Sequence, residues 1–369
     1  MMVRDLCEAL SLSYVLPLGP FHPDWQTPMR MVLRVEGEQI ADVEFRDGYT
    51  NRGISERLTR TTIPQGLHLV SHICAADSHA HSLGFCLALE QLLKINASER
   101  AAALRLLACE VERATVHLST MKEVLTILGL QRDAEHVQKL HHGLFEVMQH
   151  LCGTSSPPNY IVPGGVRQDL SSTEQESMAL QFRRLERLMY RFVDRFIDHR
   201  GVLRRCVGVG VLSREAAEQF GVRGPMARAA GIGFDARIDR AYGAYAQFPP
   251  SRVTQERGDV YARLVIFSLE AFESLKLAIR VLANLPSGDW AGNAPDSVPQ
   301  GSVTSNIESA RGTLRYTVQS NGVKLTSVRI DAPRQFDRLI ARTILAGMNI
   351  DDAPLIIASA SACTACSEE

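Results

Sequence analysis

The feature that most constrains the fold is a helical period running almost unbroken from Ile63 to about Leu151. Ser98 followed by Glu99 marks a helix start, and Leu104, Leu107, Val111, Ala114, Leu118, Met121 and Leu125 then recur at spacings of three and four until Gly129. A stripe of that length has to be buried against other elements. Two more helices are predicted, from about Thr173 to Val207 and from about Asp259 to Ala283. Alternating runs flank this helical block. Met29 to Val35 and Ile40 to Phe45, separated by Glu36-Gly37-Glu38-Gln39, read as a β-hairpin; the preceding Leu16-Pro17-Leu18-Gly19-Pro20 is too rich in Pro and Gly for a helix. Leu314 to Val318 and Val323 to Ile330 read as a second hairpin, with Ser320-Asn321-Gly322 as an I′ turn signal. Residues 286–304 read as a polar loop, Leu339 to Leu345 as a short helix and Pro354 to Ala358 as a strand leading to the last cysteines. The expected fold is mainly α with small β-hairpins (α+β). Residues 1–369 form one domain, with an N-terminal hairpin region at 14–50, a helical core at 54–285 and a C-terminal hairpin and cysteine segment at 305–369.

Lys and Arg total 40 against 41 Asp and Glu, so no global field recruits nucleic acid or anionic lipid. The predicted helix at 173–207 carries Arg183, Arg184, Arg187, Arg191, Arg195, Arg200, Arg204 and Arg205, but Glu186, Asp194 and Asp198 interrupt them. A solvated face or a partner contact fits better than a nucleic-acid stripe. Glu110, Glu112, Arg113 and His117 within the long apolar period are likewise expected on a solvated face, the alternative being a buried charge network that supports a site. No signal-peptide core and no run of about 18 apolar residues is present, so a soluble, cytoplasmic chain is expected.

Eight cysteines in 369 residues are too sparse for a disulfide scaffold, and Cys86, Cys109 and Cys206 sit in apolar helical patterns as ordinary buried thiols. Cys363 and Cys366 form a C-x-x-C pair, and Cys74 with Asp77 forms a C-x-x-D in Ile73-Cys74-Ala75-Ala76-Asp77-Ser78-His79-Ala80-His81-Ser82. Two thiolates three apart face one ion, and two such pairs build a metal site; a carboxylate in one corner makes that site harder. A buried helix thiol and a redox-active pair are the alternatives. Pro163-Gly164-Gly165-Val166-Arg167 lets backbone approach a neighbour closely but lacks the signature of a phosphate loop.

Taken in order, these motifs resemble the large subunit of NiFe hydrogenases over nearly the whole chain. The set also includes Gly19-Pro20-Phe21-His22-Pro23, Asn51-Arg52-Gly53-Ile54, Glu112-Arg113-x-x-x-His117 and Glu308-x-x-Arg311-Gly312. The resemblance is nearest to the membrane-bound, energy-converting (group 4-like) branch, which is homologous to the 49 kDa quinone-site subunit of complex I. It implies a nickel–iron centre at Cys74, Cys363 and Cys366, with Asp77 in the fourth place. It also implies His81 in support, Arg311 above the centre, and His22 and Arg167 as cofactor or quinone-side contacts. This chain departs from the family at Ser361-Ala362, where Asp-Pro is usual, and at Glu369, where His or Arg is usual. It departs again at Ser55, where a proton-relaying Glu is usual, which leaves Glu56 as the substitute relay. The implied partners are a small iron–sulfur electron-transfer subunit that holds the iron–sulfur clusters, a complex I 30 kDa-like subunit and membrane-embedded ion-transport subunits, with no nucleic acid. The implied location is peripheral, on the inner face of the cell membrane, with redox chemistry coupled to ion translocation. A metal-free subunit with quinone or sulfur chemistry, or a structural pseudo-hydrogenase, are the alternatives that the altered motifs leave open.

Overall fold

The computed structural model describes residues 13–22, 25, 27–153, 159–333 and 335–368; Pro23 and Glu369 lie outside these. A short helix, α1 (Ile54–Leu58), precedes the predicted period, which itself resolves into four helices: α2 (Ile63–Ser71), α3 (Ser78–Leu93), α4 (Glu99–Ile127) and α5 (Gln131–Cys152). Ser98 starts α4 as expected, its side chain accepting from the Ala101 N–H. Helix α4 is buried on nearly every face and packs against α5 and against a later long helix, α8 (Val260–Ala283), which Asp259 caps. One continuous apolar cluster extends from Met29 in the N-terminal sheet to Cys366 near the other end.

The predicted helix at 173–207 is two helices, α6 (Ser172–Ile197) and α7 (Arg200–Cys206). The break falls where the His199 ring leaves the helical register and accepts from the Val202 N–H at 3.3 Å. All eight arginines of this stretch are exposed or half-buried, as a solvated face requires.

Both hairpins are parts of three-stranded antiparallel sheets. Strands β1 (Ser13–Leu18), β2 (Arg30–Glu36) and β3 (Gln39–Arg46) lie in that order, with Pro17 on the edge strand, where a missing N–H is tolerated. A small β4 (Ile161–Val162) and β5 (Gly165–Val166) pair follows the long helices. In the C-terminal sheet, β6 (Gly301–Ser309) occupies the end of the expected polar loop and pairs with β7 (Gly312–Ser320), which pairs with β8 (Leu325–Asp331). Its buried positions include Ser305 and Ser309, so β6 lacks the apolar alternation that would betray it. The β7–β8 connection is a four-residue loop rather than a two-residue I′ turn. The Asn321 side chain accepts from the N–H groups of Val323 and Lys324, both at 3.0 Å, and a register shift follows Gln319. After α9 (Arg338–Leu345), the Pro354 to Ala358 run is helix α10 (Ala353–Ser359), not a strand; Pro354 sits in its first turn, where no N–H is needed. A last turn, α11 (Ala365–Glu368), carries Cys366.

Candidate active site: a three-thiol centre

Cys74 lies in the turn between α2 and α3, which is held by two other segments and by a bond across the turn itself. The Arg52 guanidinium donates to the carbonyls of His72 at 2.9 Å and Ile73 at 2.5 Å, and Ser78 Oγ donates to the Ser71 carbonyl at 2.7 Å. Glu112, from α4, closes the buried start of α3. Its Oε1 accepts from the His79 N–H at 2.7 Å and from His79 Nδ1 at 3.0 Å, and its Oε2 accepts from the Ala80 N–H at 3.0 Å. A carboxylate there satisfies orphan donors and complements the helix dipole.

The terminal cysteines are fastened as firmly. The Thr364 N–H donates to Thr27 Oγ1 at 2.9 Å, and Glu368 Oε2 accepts from both the N–H and the hydroxyl of Thr50, each at 2.6 Å. The outcome is that Cys74 Sγ lies 3.7 Å from Cys363 Sγ, and the sulfurs of Cys74, Cys363 and Cys366 lie within 4.8 Å of one another.

Asp77 does not complete this set as a fourth ligand. Its Oδ2 is 2.5 Å from Arg311 Nη1 and its Oδ1 accepts from the Ala310 N–H at 3.3 Å, while Cys366 Sγ is 3.9 Å away. The Arg311 Nε donates to the Ser361 carbonyl at 3.1 Å, so one guanidinium ties the Cys74 turn to the Cys363 segment. Arg311 is positioned by the tight β6–β7 turn. Arg113 on α4 holds that turn by donating to the carbonyls of Ser309 at 2.6 Å and Glu308 at 2.5 Å.

Glu110, Glu112, Arg113 and His117 of α4 are therefore buried, contrary to the solvated face expected from their spacing. Glu110 accepts from Arg113, Arg237, Tyr245 and Ser274; Arg228 bridges Glu270 at 2.5 Å and Glu308 at 2.9 Å; and His117 Nε2 meets Glu270 at 3.1 Å. Burial alone would raise the carboxyl pKa values. Arg237 and Arg113 beside Glu110, and Arg228 and His117 beside Glu270, outweigh it and hold both at about 2.

The three thiols interact electrostatically. Hydrogen bonds from Cys366 and Cys74, aided by the Arg311 charge, overcome burial and bring the Cys363 thiol well below its ordinary value. Cys74 and Cys366 go up, each through its bond to the Cys363 sulfur and through burial. His81 is fully buried and pushed down to about 4, chiefly by desolvation, so it is a neutral imidazole. Its Nδ1 is 2.7 Å from the Tyr316 hydroxyl and its Nε2 has no partner among the described residues.

A cavity of about 520 Å³ opens onto Cys74 and Cys363, lined also by Thr27, Tyr49, Thr50, Arg52 and His72. His22 stands elsewhere, stacked on Trp25 with centroids 4.9 Å apart, in an apolar recess of about 100 Å³ with Leu16, Leu18 and Leu33. Arg167 is exposed beyond β5 and does not line the thiol cavity. Glu56 points to solvent and pairs with Arg60 at 2.5 Å, an ordinary i, i+4 surface pair, which removes it from the relay position. Sequence reasoning missed three residues of the site. Arg52 and Glu112 lay within quoted motifs, whereas Glu368 had no signal beyond its nearness to Cys366.

Comparison with known proteins finds relatives that match nearly the whole chain. The family model described as the 49 Kd subunit of respiratory-chain NADH dehydrogenase matches residues 139–298. The carbon monoxide-induced hydrogenase of Rhodospirillum rubrum is 28% identical over 360 residues, covering 96% of this chain and 99% of that one. A subunit of the NADH-quinone oxidoreductase of Dehalococcoides mccartyi is 29% identical over 355 residues, covering 94% and 96%. The chain is a homologue of the complex I 49 kDa and hydrogenase large subunits. Its fold matches a chain of the membrane-bound sulfane sulfur reductase, an archaeal respiratory membrane complex, with a TM-score of 0.90 at 22% identity over 97% of this chain and 98% of that one.

Within this 49 kDa and hydrogenase group, a nickel–iron centre held by four thiolates does not fit the residues present. Three soft donors converge, but the fourth corner is a carboxylate whose two oxygens are already taken by Arg311 and the Ala310 N–H. Freeing Asp77 to bind a metal would take from the buried Arg311 its carboxylate ion-pair partner.

Proposed function

We propose that this chain is the peripheral large subunit of a complex I-related, membrane-bound oxidoreductase in which the thiols of Cys74, Cys363 and Cys366 are themselves the redox centre. The substrate class is a sulfane-sulfur compound, one with a reducible S–S bond. The carrying observation is the 3.7 Å approach of the Cys74 sulfur to the Cys363 sulfur at the end of a 520 Å³ cavity, beside a corner closed by an ion pair. Dihydrogen or a proton needs no cavity of that size, which lies in the range of about 300–1,000 Å³ usual for molecular substrates.

The chemistry follows from thiol exchange. The Cys363 thiolate attacks one sulfur of the substrate S–S bond, forming a mixed disulfide and expelling the other sulfur as a thiolate. Cys74 then attacks Cys363 Sγ, expelling the second substrate sulfur and passing its proton to the products. Two substrate sulfurs have been reduced, and Cys74 and Cys363 have become a disulfide. Two electrons from an iron–sulfur partner subunit, with one proton, restore the thiol and thiolate. Arg311 and Cys366 steady the negative charge on Cys363 throughout. In this reading the chain binds a small iron–sulfur subunit, a 30 kDa-like subunit and membrane-embedded subunits that couple the electron transfer to ion movement, on the inner face of the membrane. The apolar recess at His22, about 100 Å³, is small for a quinone ring, which makes a quinone substrate the weaker reading.

The test is reduction of inorganic polysulfide by the purified complex with reduced methyl viologen as donor. Cys363→Ser is expected to lose at least about a hundredfold in kcat/KM. Unchanged activity in that variant, or nickel and iron in the subunit with carbonyl and cyanide infrared bands, would overturn the reading.

A further inference from the structure

We propose that the cavity in front of Cys74 and Cys363 takes its substrate as a small anion, and that Arg52 is the residue that draws it in and holds it. This rests on the sulfane-sulfur reading and narrows it to anionic chains of the polysulfide type, as against neutral organic polysulfanes.

The charges around the site are unevenly committed. Arg311 is buried against Asp77, at 2.5 Å, and is not among the residues that line the cavity. Arg52 faces no carboxylate partner among the described residues; its guanidinium is braced only by the two carbonyls that precede Cys74, at 2.9 and 2.5 Å. Each terminal nitrogen gives one hydrogen to a carbonyl, which leaves the remaining donors and the full positive charge for something else. Arg52 is exposed and lines the cavity whose inner wall is Cys74 and Cys363. Among the described residues no Asp or Glu lines that cavity, whereas Arg52, His72 and the hydroxyl-bearing Thr27, Tyr49 and Thr50 do. The reach of the Arg52 charge is visible at His81, a fully buried ring whose proton affinity Arg52 helps to lower.

The reaction needs a cation at this place. A thiolate attacking an anionic sulfur chain brings two negative charges together, which costs about 4 kcal/mol at 4 Å with an effective dielectric of 20. A fixed guanidinium facing the approach offsets that repulsion and raises the local concentration of the anion. Its bracing by the carbonyls of His72 and Ile73 places the cation in the same peptide segment as the Cys74 sulfur, so substrate and thiols are registered together.

The test separates anion recognition from sulfur chemistry. In the assembled complex, alkylation of Cys363 by anionic iodoacetate and by neutral iodoacetamide is followed by peptide mass spectrometry. Arg52→Met is expected to lower the iodoacetate-to-iodoacetamide rate ratio about tenfold, and high salt is expected to lower it in the wild type. Arg52→Lys, which keeps the charge and loses the fork, is expected to hold most of the ratio and so excludes a merely loosened Cys74 turn. In turnover, Arg52→Met is expected to raise the KM for polysulfide about tenfold more than the KM for dimethyl trisulfide. A ratio unaffected by Arg52→Met, or equal losses on both substrates, would overturn the proposal. A ratio that falls as expected in a complex that reduces neither compound would uphold the anion site and overturn the sulfur reading alone.

Discussion

Arg311 Nη1 lies 2.5 Å from Asp77 Oδ2, and both side chains are almost completely buried. The pair closes one corner of the thiol cluster and also joins three segments, since Arg311 reaches the Ser361 carbonyl and Asp77 begins the turn into α3. A substitution that looks like a lost ligand is thus a structural bond whose removal exposes an opposite charge.

Asp77→Cys restores the two C-x-x-C pairs on paper, but it is expected to lower stability by about 3–5 kcal/mol because Arg311 is left buried without its partner. It is also expected to produce no hydrogen evolution, because Ser55 supplies no relaying carboxylate and Glu56 faces solvent. Chemical denaturation and a hydrogen electrode check both halves. Near-wild-type stability would show that Asp77 and Arg311 are not the bond described above.

Glu112 and His79 make the start of α3 sensitive to alkaline pH. Burial opposes a charge on His79, but Cys152, whose sulfur is 3.5 Å from Nε2, and Glu112, 3.0 Å from Nδ1, outweigh it and raise the ring to about 10. A raised value in the folded state means that the stabilisation is fully present below the unfolded value of about 6.5 and is lost as pH climbs from there through 10. The wild type should therefore lose on the order of 2–4 kcal/mol over that window, and His79→Gln should lose much less. Parallel stability curves for the two proteins would contradict the assignment.

What could be read from the sequence divides by physical cause. The meeting of Cys74 with Cys363 and Cys366 was legible because ligand spacing and motif order are local properties of the chain. The role of Arg113 was not, because a buried charged residue and a solvated one occupy the same helical period. Only the fold reveals that the carbonyls of Glu308 and Ser309 wait beside Arg113. Glu56 and Glu368 show the same limit in reverse. The glutamate next to the expected relay position pairs with a surface arginine, whereas Glu368 reaches across to Thr50. Strand β6 is invisible to an apolar alternation because Ser305 and Ser309 occupy buried positions where apolar residues would be expected. Arg113→Met should cost about 3–5 kcal/mol and Arg183→Met less than about 0.5 kcal/mol, a contrast that spacing alone does not foresee.

Gly224 fixes the height of Arg311. At φ +70° it approaches the β6–β7 turn so closely that an added Cβ would lie 2.2 Å from the Arg311 carbonyl oxygen. Gly129, at φ +73°, has nothing within 4 Å of its added Cβ. Gly129→Ala should therefore cost only about 1–2 kcal/mol of left-handed strain, whereas Gly224→Ala should cost clearly more and displace Arg311 from Asp77. Thermal melts and Cys363 alkylation rates measure the two effects, and equal costs for both substitutions would argue against the close approach.

Glu368 is the latch of the last segment. Its Oε2 takes two hydrogen bonds from Thr50, at 2.6 Å each, across 318 residues of sequence, and Thr364 adds contacts to Thr27 and Thr50. Glu368→Ala removes both bonds to a charged acceptor and should cost about 1–3 kcal/mol. Because this segment packs on a turn and a loop rather than inside α4, the loss should appear as local opening. Amide exchange at residues 362–368 should speed up about tenfold, in proportion to roughly 1.4 kcal/mol of local stability, while exchange in α4 stays unchanged. Uniformly faster exchange in both places would mean that Glu368 supports the whole domain and not the cysteine segment in particular.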